Sequence, residues 1–95
     1  GAPTRPFTPE EAAAVQTVVS ARCVTCHSQR PTHPAFAAAP KGLALDTPRQ
    51  VRASAGRIYQ QVVVTRLMPL GNVTSMTDEE RDLLARWVRS GAPLP

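Results

Sequence analysis

The stretch RCVTCHSQR, residues 22–30, contains both cysteines of this 95-residue chain, Cys23 and Cys26, with His27 directly after the second. Two thiols three residues apart lie on the same side of a helical turn. C-x-x-C-H is the attachment signature of c-type haem. Each thiol can add to one vinyl group, and His27 is placed to bring its imidazole over the iron. The pattern therefore predicts one covalently attached haem c.

Two other chemistries use a C-x-x-C motif, a redox dithiol and a structural zinc site. A redox dithiol is typical beside a βαβ pattern, and the sequence suggests no strands. Structural zinc takes four ligands. After Cys23, Cys26 and either His27 or His33, a convincing fourth ligand is missing. The motif favours haem over both, and zinc and the dithiol remain as alternatives.

The composition favours a small domain with a non-protein group inside it. At 95 residues the chain forms one domain with one small core. Only 4% of the residues are aromatic, so a core of Ala, Val and Leu is thin. Ten prolines indicate long ordered loops. A bound prosthetic group would complete such a core.

The charge pattern excludes one class of partner. The net charge is +4, but the basic residues are scattered, whereas nucleic-acid binding gathers them on one element. A diffuse positive charge suits an acidic protein or an anionic membrane face. No stretch approaches the roughly 20 apolar residues of a membrane span, so we expect this fragment to be soluble. Residues 1–7 have linker composition, and we expect a domain over 8–95, either processed or excised from a longer protein.

Three capping boxes predict where the helices begin. They are formed by Thr8 with Glu11, Thr47 with Gln50, and Thr77 with Glu80. The helices that they open are predicted over about 9–22, over about 47–65 and over 78–90. Gly56 is expected to interrupt the second, and Val62–Val64 could form a strand but would have no partner. The sequence predicts an all-α fold.

Two segments without periodicity are predicted to be loops. Residues 28–46 are rich in proline and exceed the usual length of a connection in a small domain, so we expect them to wrap around the prosthetic group. The second loop is MPLGNVTSM, residues 68–76, because Pro69 moves Met68 out of helical geometry.

The second iron ligand decides what a haem held by His27 can do. A thioether favours the reduced state and raises the potential, as an electron carrier needs. Met68 is the favoured ligand because it lies on a loop fixed by Pro69. Met76 and His33 are alternatives, and an open site is a third.

The surroundings of such a haem make further demands on the chain. The imidazole N–H of His27 needs an acceptor, for which the carbonyls of Pro31 and Pro40 are candidates. The propionates need donors. The candidate donors are Arg57, Arg66, Tyr59 and Trp87.

With these residues in place, the chain resembles a class I c-type cytochrome over nearly its full length. The shared order is an N-terminal helix, CVTCH, a long loop, middle helices, a Met-Pro loop and a terminal helix with Trp87. The resemblance implies a small fold wrapped around a low-spin haem that transfers electrons. It also implies that the terminal helices cross beside the haem, where Ala12–Ala14 would allow close approach to Trp87.

A narrower resemblance, to one particular family, rests on the amino-acid sequence of the loops. AAPKGLALDTP (38–48) and VVTRLMPLGNVTSMTDEERDLLARWVRSGAP (63–93) resemble the C-terminal cytochrome domain of bacterial membrane-bound urate oxidases. That family implies a membrane-embedded catalytic domain ahead of this one, and electrons that pass from urate, in purine degradation, to a terminal cytochrome oxidase. It implies a periplasmic domain tethered to the inner membrane, which agrees with thioether attachment outside the cytoplasm.

The chain by itself is not expected to be an enzyme. Asp78, Glu79 and Glu80 are adjacent carboxylates, but at a helix start they serve the cap and the dipole. Two other functions remain alternatives. One is a free or subunit-type cytochrome of another dehydrogenase or respiratory chain; the other is a haem sensor or peroxidase with an open sixth site.

Overall fold

The computed structural model describes residues 6–24, 27 and 43–95, and over these ranges the chain is helical without any strand. This confirms an all-α fold. The elements are α1 (Pro9–Arg22), α2 (Pro48–Ala53), α3 (Ala55–Ile58), a π-helix (Tyr59–Val64), a short 3₁₀ turn (Leu70–Asn72) and α4 (Asp78–Arg89). Val62–Val64 lie in the π-helix, so the strand alternative is wrong. Most of the expected 28–46 loop lies outside the described residues, and its wrapping around a group stays a prediction.

All three capping boxes form as predicted. At α1 the Thr8 hydroxyl accepts from the Glu11 amide, and the Glu11 carboxylate accepts from the Thr8 amide, each at 3.1 Å. Reciprocal bonds also close the boxes at α2 and α4. The side chains thus satisfy amides that the first turn of a helix leaves without partners, and each helix begins where the sequence indicates.

The middle helix is interrupted at Ser54 and not at Gly56, where the sequence predicts the break. The chain leaves helical geometry at Ser54, where φ is −101° and ψ is 12°, while Gly56 lies inside α3. Glycine in a helix costs only about 1 kcal/mol relative to alanine, which packing outweighs. Val51 and Ile58 are both buried in the core on either side of Ser54, so the break falls between the two anchored segments.

The core lies between α1, α4 and the middle helices. Its largest fully buried side chain is Trp87 on α4, and Val15 and Val19 bury the inner face of α1. Two ion pairs bridge the helices: Glu11 to Arg86 at 2.9 Å, and Arg22 to Glu80 at 3.0 Å. Because the start of α1 meets the end of α4, and the reverse, the two helices pass each other in opposite directions.

The small residues of α1 differ in their burial, and close approach of Ala12–Ala14 to Trp87 stays a prediction. Ala12 is almost fully buried, whereas Ala13 is exposed. Within the described ranges, none of the helices combines the length and the apolar character needed to cross a bilayer.

Candidate haem-binding site

The end of α1 carries the first residue of the CVTCH motif. Cys23 caps the helix, half-buried against the core, and its amide donates to the Val19 carbonyl at 2.9 Å. Its carbonyl in turn accepts from the His27 amide at 2.8 Å. This bond from residue i+4 to residue i is that of one helical turn. Cys26 lies outside the described residues.

His27 is held to the chain segment that precedes α2. Its Nδ1 lies 3.0 Å from the Leu43 carbonyl oxygen, and its own carbonyl accepts from the Leu45 amide at 2.7 Å. A carbonyl only accepts, so this contact places the ring proton on Nδ1 and leaves the Nε2 lone pair available to a metal. The expected acceptors were other carbonyls of the same loop, Pro31 and Pro40, which lie outside the described residues.

Met68 lies on the non-helical segment that follows the π-helix. It is half-buried against the core. Both of its main-chain polar groups are engaged: the amide donates to the Gln61 carbonyl at 3.0 Å, and the carbonyl accepts from Arg81 Nη1 at 2.7 Å. The backbone of the favoured sixth ligand is therefore fixed on both sides of its Cα.

Met76 occupies a different environment. Its side chain is 5% exposed and belongs to the hydrophobic core. The Asn72 side chain brackets its backbone, accepting from the Met76 amide at 2.9 Å and donating to the Met76 carbonyl at 3.2 Å. This burial suits a packing role. The third alternative ligand, His33, lies outside the described residues.

The candidate propionate donors are dispersed over the fold. Trp87 is fully buried, and its indole N–H donates to the Pro93 carbonyl at 2.9 Å. The Tyr59 hydroxyl accepts from Arg89 at 2.8 Å, and the Arg89 guanidinium lies over the Tyr59 ring. Arg57 is exposed on α3, and Arg66 is ion-paired with Asp78. Of the four, Trp87 has its single N–H already engaged.

Arg81 and Arg22, which the sequence motifs do not single out, bond the Met68–Met76 segment from α4 and α1. Arg81 is 8% exposed and contacts Met68. Arg22 donates to the Thr74 carbonyl, and the Thr74 hydroxyl donates to the Arg22 carbonyl at 2.8 Å. A signal for Arg81 existed, because a charged residue stands three and four positions before buried Leu84 and Ala85 on the apolar face of α4.

Glu80, which is ion-paired with Arg22 at the end of α1, has a shifted pKa. Burial alone would raise the pKa of its carboxyl, but bonds from the Thr77 backbone and the Arg22 guanidinium outweigh this and hold the pKa below its usual range. The carboxylate therefore stays ionised beside Arg22. Over the part of the chain that the structure describes, three or more His, Cys, Asp or Glu side chains nowhere gather as a metal-binding group.

Comparisons of the chain with protein-family models, with curated proteins and with solved structures gave no match. The site is therefore interpreted from its own residues. They provide a thiol at the end of α1, an imidazole oriented by a carbonyl, and a thioether on a loop fixed by hydrogen bonds.

Proposed function

We propose that this domain carries one covalent haem c and transfers electrons. The observation that supports the proposal most is the His27–Leu43 contact within a C-x-x-C-H motif, because it leaves Nε2 as the metal-binding nitrogen. A haem bound here would supply the one-electron couple between ferric and ferrous iron. The described residues fit such a group in donor chemistry: Cys23 and Met68 pack against one core, and the His27 imidazole bonds Leu43, which packs against the same core.

Each residue of the proposed haem site has a separate role. Cys23 and Cys26 would hold the haem through thioether bonds, and His27 would bind its iron. The Leu43 carbonyl orients the imidazole for this. Met68 would supply a thioether ligand, which would exclude external ligands and favour the reduced state.

Burial supports Met68 over Met76 as that ligand. Met68 is half-buried on a segment without helical constraint, whereas the Met76 side chain already fills core space. Moving the Met76 sulfur to a metal would leave a cavity, and large-to-small losses in cores cost about 2–5 kcal/mol. The corresponding loss at Met68 is smaller, because Met68 is only half-buried against the core.

The electron donor and acceptor are proposed from the resemblance to urate oxidase cytochrome domains. Electrons would come from urate oxidised in an attached membrane-bound catalytic domain and would pass to a cytochrome oxidase in the bacterial periplasm. The scattered positive charge of the chain suits docking to an acidic redox partner. Rapid-mixing of the full-length parent protein with urate tests this: haem reduction is expected, and an oxidised haem that urate leaves unchanged would contradict it.

Spectra and mass of the domain, matured in a bacterial periplasm, test the haem itself. We expect sharp bands in the reduced state and a mass raised by one haem. The pigment should remain with the chain when it is denatured and extracted into acidified organic solvent, because thioether bonds survive that treatment. A colourless protein would overturn the proposal in favour of zinc or a dithiol, and rapid carbon monoxide binding at neutral pH would favour the sensor or peroxidase alternative.

A further inference from the structure

Arg81 bonds backbone at the end of the π-helix and on the segment that follows it. It lies in the first turns of α4 and is 8% exposed. Its Nη1 donates to the Val62 carbonyl at 2.9 Å and to the Met68 carbonyl at 2.7 Å. One guanidinium nitrogen carries two hydrogens, so both bonds form at once.

Both carbonyls need a donor from outside their own segment. Val62 lies in the last turn of the π-helix, where carbonyls lack partners within the helix. Met68 lies between the π-helix and the 3₁₀ turn, outside any helix, so its carbonyl has no helical N–H as a partner. A cation at the end of a helix also interacts favourably with the helix dipole. The arginine therefore satisfies the backbone at the end of the helix and at Met68 with one group.

A charged group in this position is costly unless it performs such a task. Removing a guanidinium from water costs several kcal/mol, which only good hydrogen bonds recover. An apolar residue would fit the buried face of α4 more simply, next to Leu84 and Ala85. The charge at this site is thus explained by the two carbonyls it binds.

We propose that Arg81 is a positioning residue for the Met68 thioether. This inference rests on the proposed function. Arg81 fixes the Met68 carbonyl relative to α4, and the Gln61 carbonyl fixes the Met68 amide. The thioether is then presented from a fixed backbone, so an external ligand must compete with a sulfur whose main chain cannot move away from the site.

The experiment compares Arg81→Met, Arg81→Lys and Arg86→Met in the haem-loaded domain. Arg81→Met removes the donor but retains bulk and helix propensity. Arg81→Lys retains the charge and can donate to a carbonyl. Arg86→Met is the matched control on the same helix, because Arg86 bonds Glu11 and lies over Phe7 but makes neither of the carbonyl contacts. If Arg81→Met yields no folded protein, Arg81→Gln replaces it.

Two readouts separate positioning from stability. The first is the weak sulfur-to-iron absorption at the red end of the visible spectrum, and the second is the affinity for added imidazole. A charge-assisted hydrogen bond is worth about ten- to hundredfold in an equilibrium constant. We expect Arg81→Met to weaken the band and to raise imidazole affinity by about that factor, Arg81→Lys to recover part of both, and Arg86→Met to leave both unchanged.

The outcomes distinguish this inference from the function on which it rests. A wild-type band that persists in Arg81→Met, with unchanged imidazole affinity, overturns the positioning role and leaves the electron-transfer proposal in place. Equal effects of Arg81→Met and Arg86→Met also overturn it, since general loosening would then explain the change. A wild-type protein without haem overturns the proposed function and this inference together. A wild-type protein that holds haem but lacks the sulfur band overturns this inference and the assignment of Met68, and leaves electron transfer as the proposed function.

Discussion

The α1–α4 pair and the Met68–Met76 segment are held by different forces. The helix pair is joined by buried apolar side chains, with Trp87 at their centre and ion pairs at the rim. The segment is held mainly by directed hydrogen bonds from Arg81, Asn72 and Arg22. Apolar burial tolerates small displacements, whereas hydrogen bonds fix distance and angle. The α1–α4 pair therefore contributes mainly to stability, and the hydrogen bonds of the Met68–Met76 segment mainly fix where its backbone lies.

The largest loss of stability is expected at the helix pair. Leu84→Ala removes a fully buried side chain from α4 and should lower the free energy of unfolding by about 2–5 kcal/mol. Urea titration measures this loss, with Leu94→Ala as an exposed control on the same chain. Equal losses in the two variants would show that apolar burial does not dominate at the helix pair.

A smaller loss is expected in the segment when Asn72→Gly removes its clasp on Met76. Asn72 has a positive φ of 47°, which glycine also adopts readily, so the substitution isolates the side chain. Two lost bonds to partly buried backbone groups should cost about 1–3 kcal/mol. Amide hydrogen exchange at Met76 should rise more than exchange in α1. Uniform acceleration across the domain would show that the segment does not open separately.

Met68→Leu and Met76→Leu form a matched pair that separates the ligand from the core. Each substitution should change stability by less than about 1.5 kcal/mol, because volume is conserved. We expect only Met68→Leu to abolish the sulfur-to-iron absorption and to admit carbon monoxide. The opposite result would assign the sixth position to Met76, and a wild-type domain that lacks the band altogether would point to His33 or an open site.

The smallest effect is expected at the Arg22–Glu80 ion pair of the helix pair, whose arginine also bonds Thr74 of the segment. The pKa of Glu80 is lowered in the folded state, so its contribution to stability is present above the unfolded pKa of about 4.3 and is lost as the pH falls through the folded value. Glu80→Gln preserves the capping box and should remove this pH dependence, with a loss of less than about 1 kcal/mol at pH 7. Urea titrations at pH 7 and pH 3 measure it. Glu79→Gln, on the exposed side of the same turn, serves as the control; the same flattening there would assign the effect to the helix dipole.

Sequence patterns predicted the features that depend on neighbours in the chain. A capping box is formed by two residues three positions apart, so the starts of α1 and α4 could be predicted from the sequence alone. The break at Ser54 could not, because it depends on how Val51 and Ile58 pack in three dimensions.

The hydrogen-bond partners of the candidate site could not be predicted from the sequence, for a related reason. Every residue carries a carbonyl, so no letter marks Leu43 as the acceptor for His27 or Val62 as the acceptor for Arg81. The choice of CVTCH and Met68 from their chemistry remains a prediction. Arg81 was missed, although its position on the apolar face of α4 follows from helical spacing.

The paired contacts of His27 with Leu43 and Leu45 have a consequence for how this domain can vary. They join residue 27 directly to residues 43 and 45, so closing the chain between these points contributes to the free energy of folding. The entropy of closing a loop grows only with the logarithm of its length, about 0.6 kcal/mol for each doubling. Insertions between these anchors should therefore change stability little while the imidazole keeps its orientation.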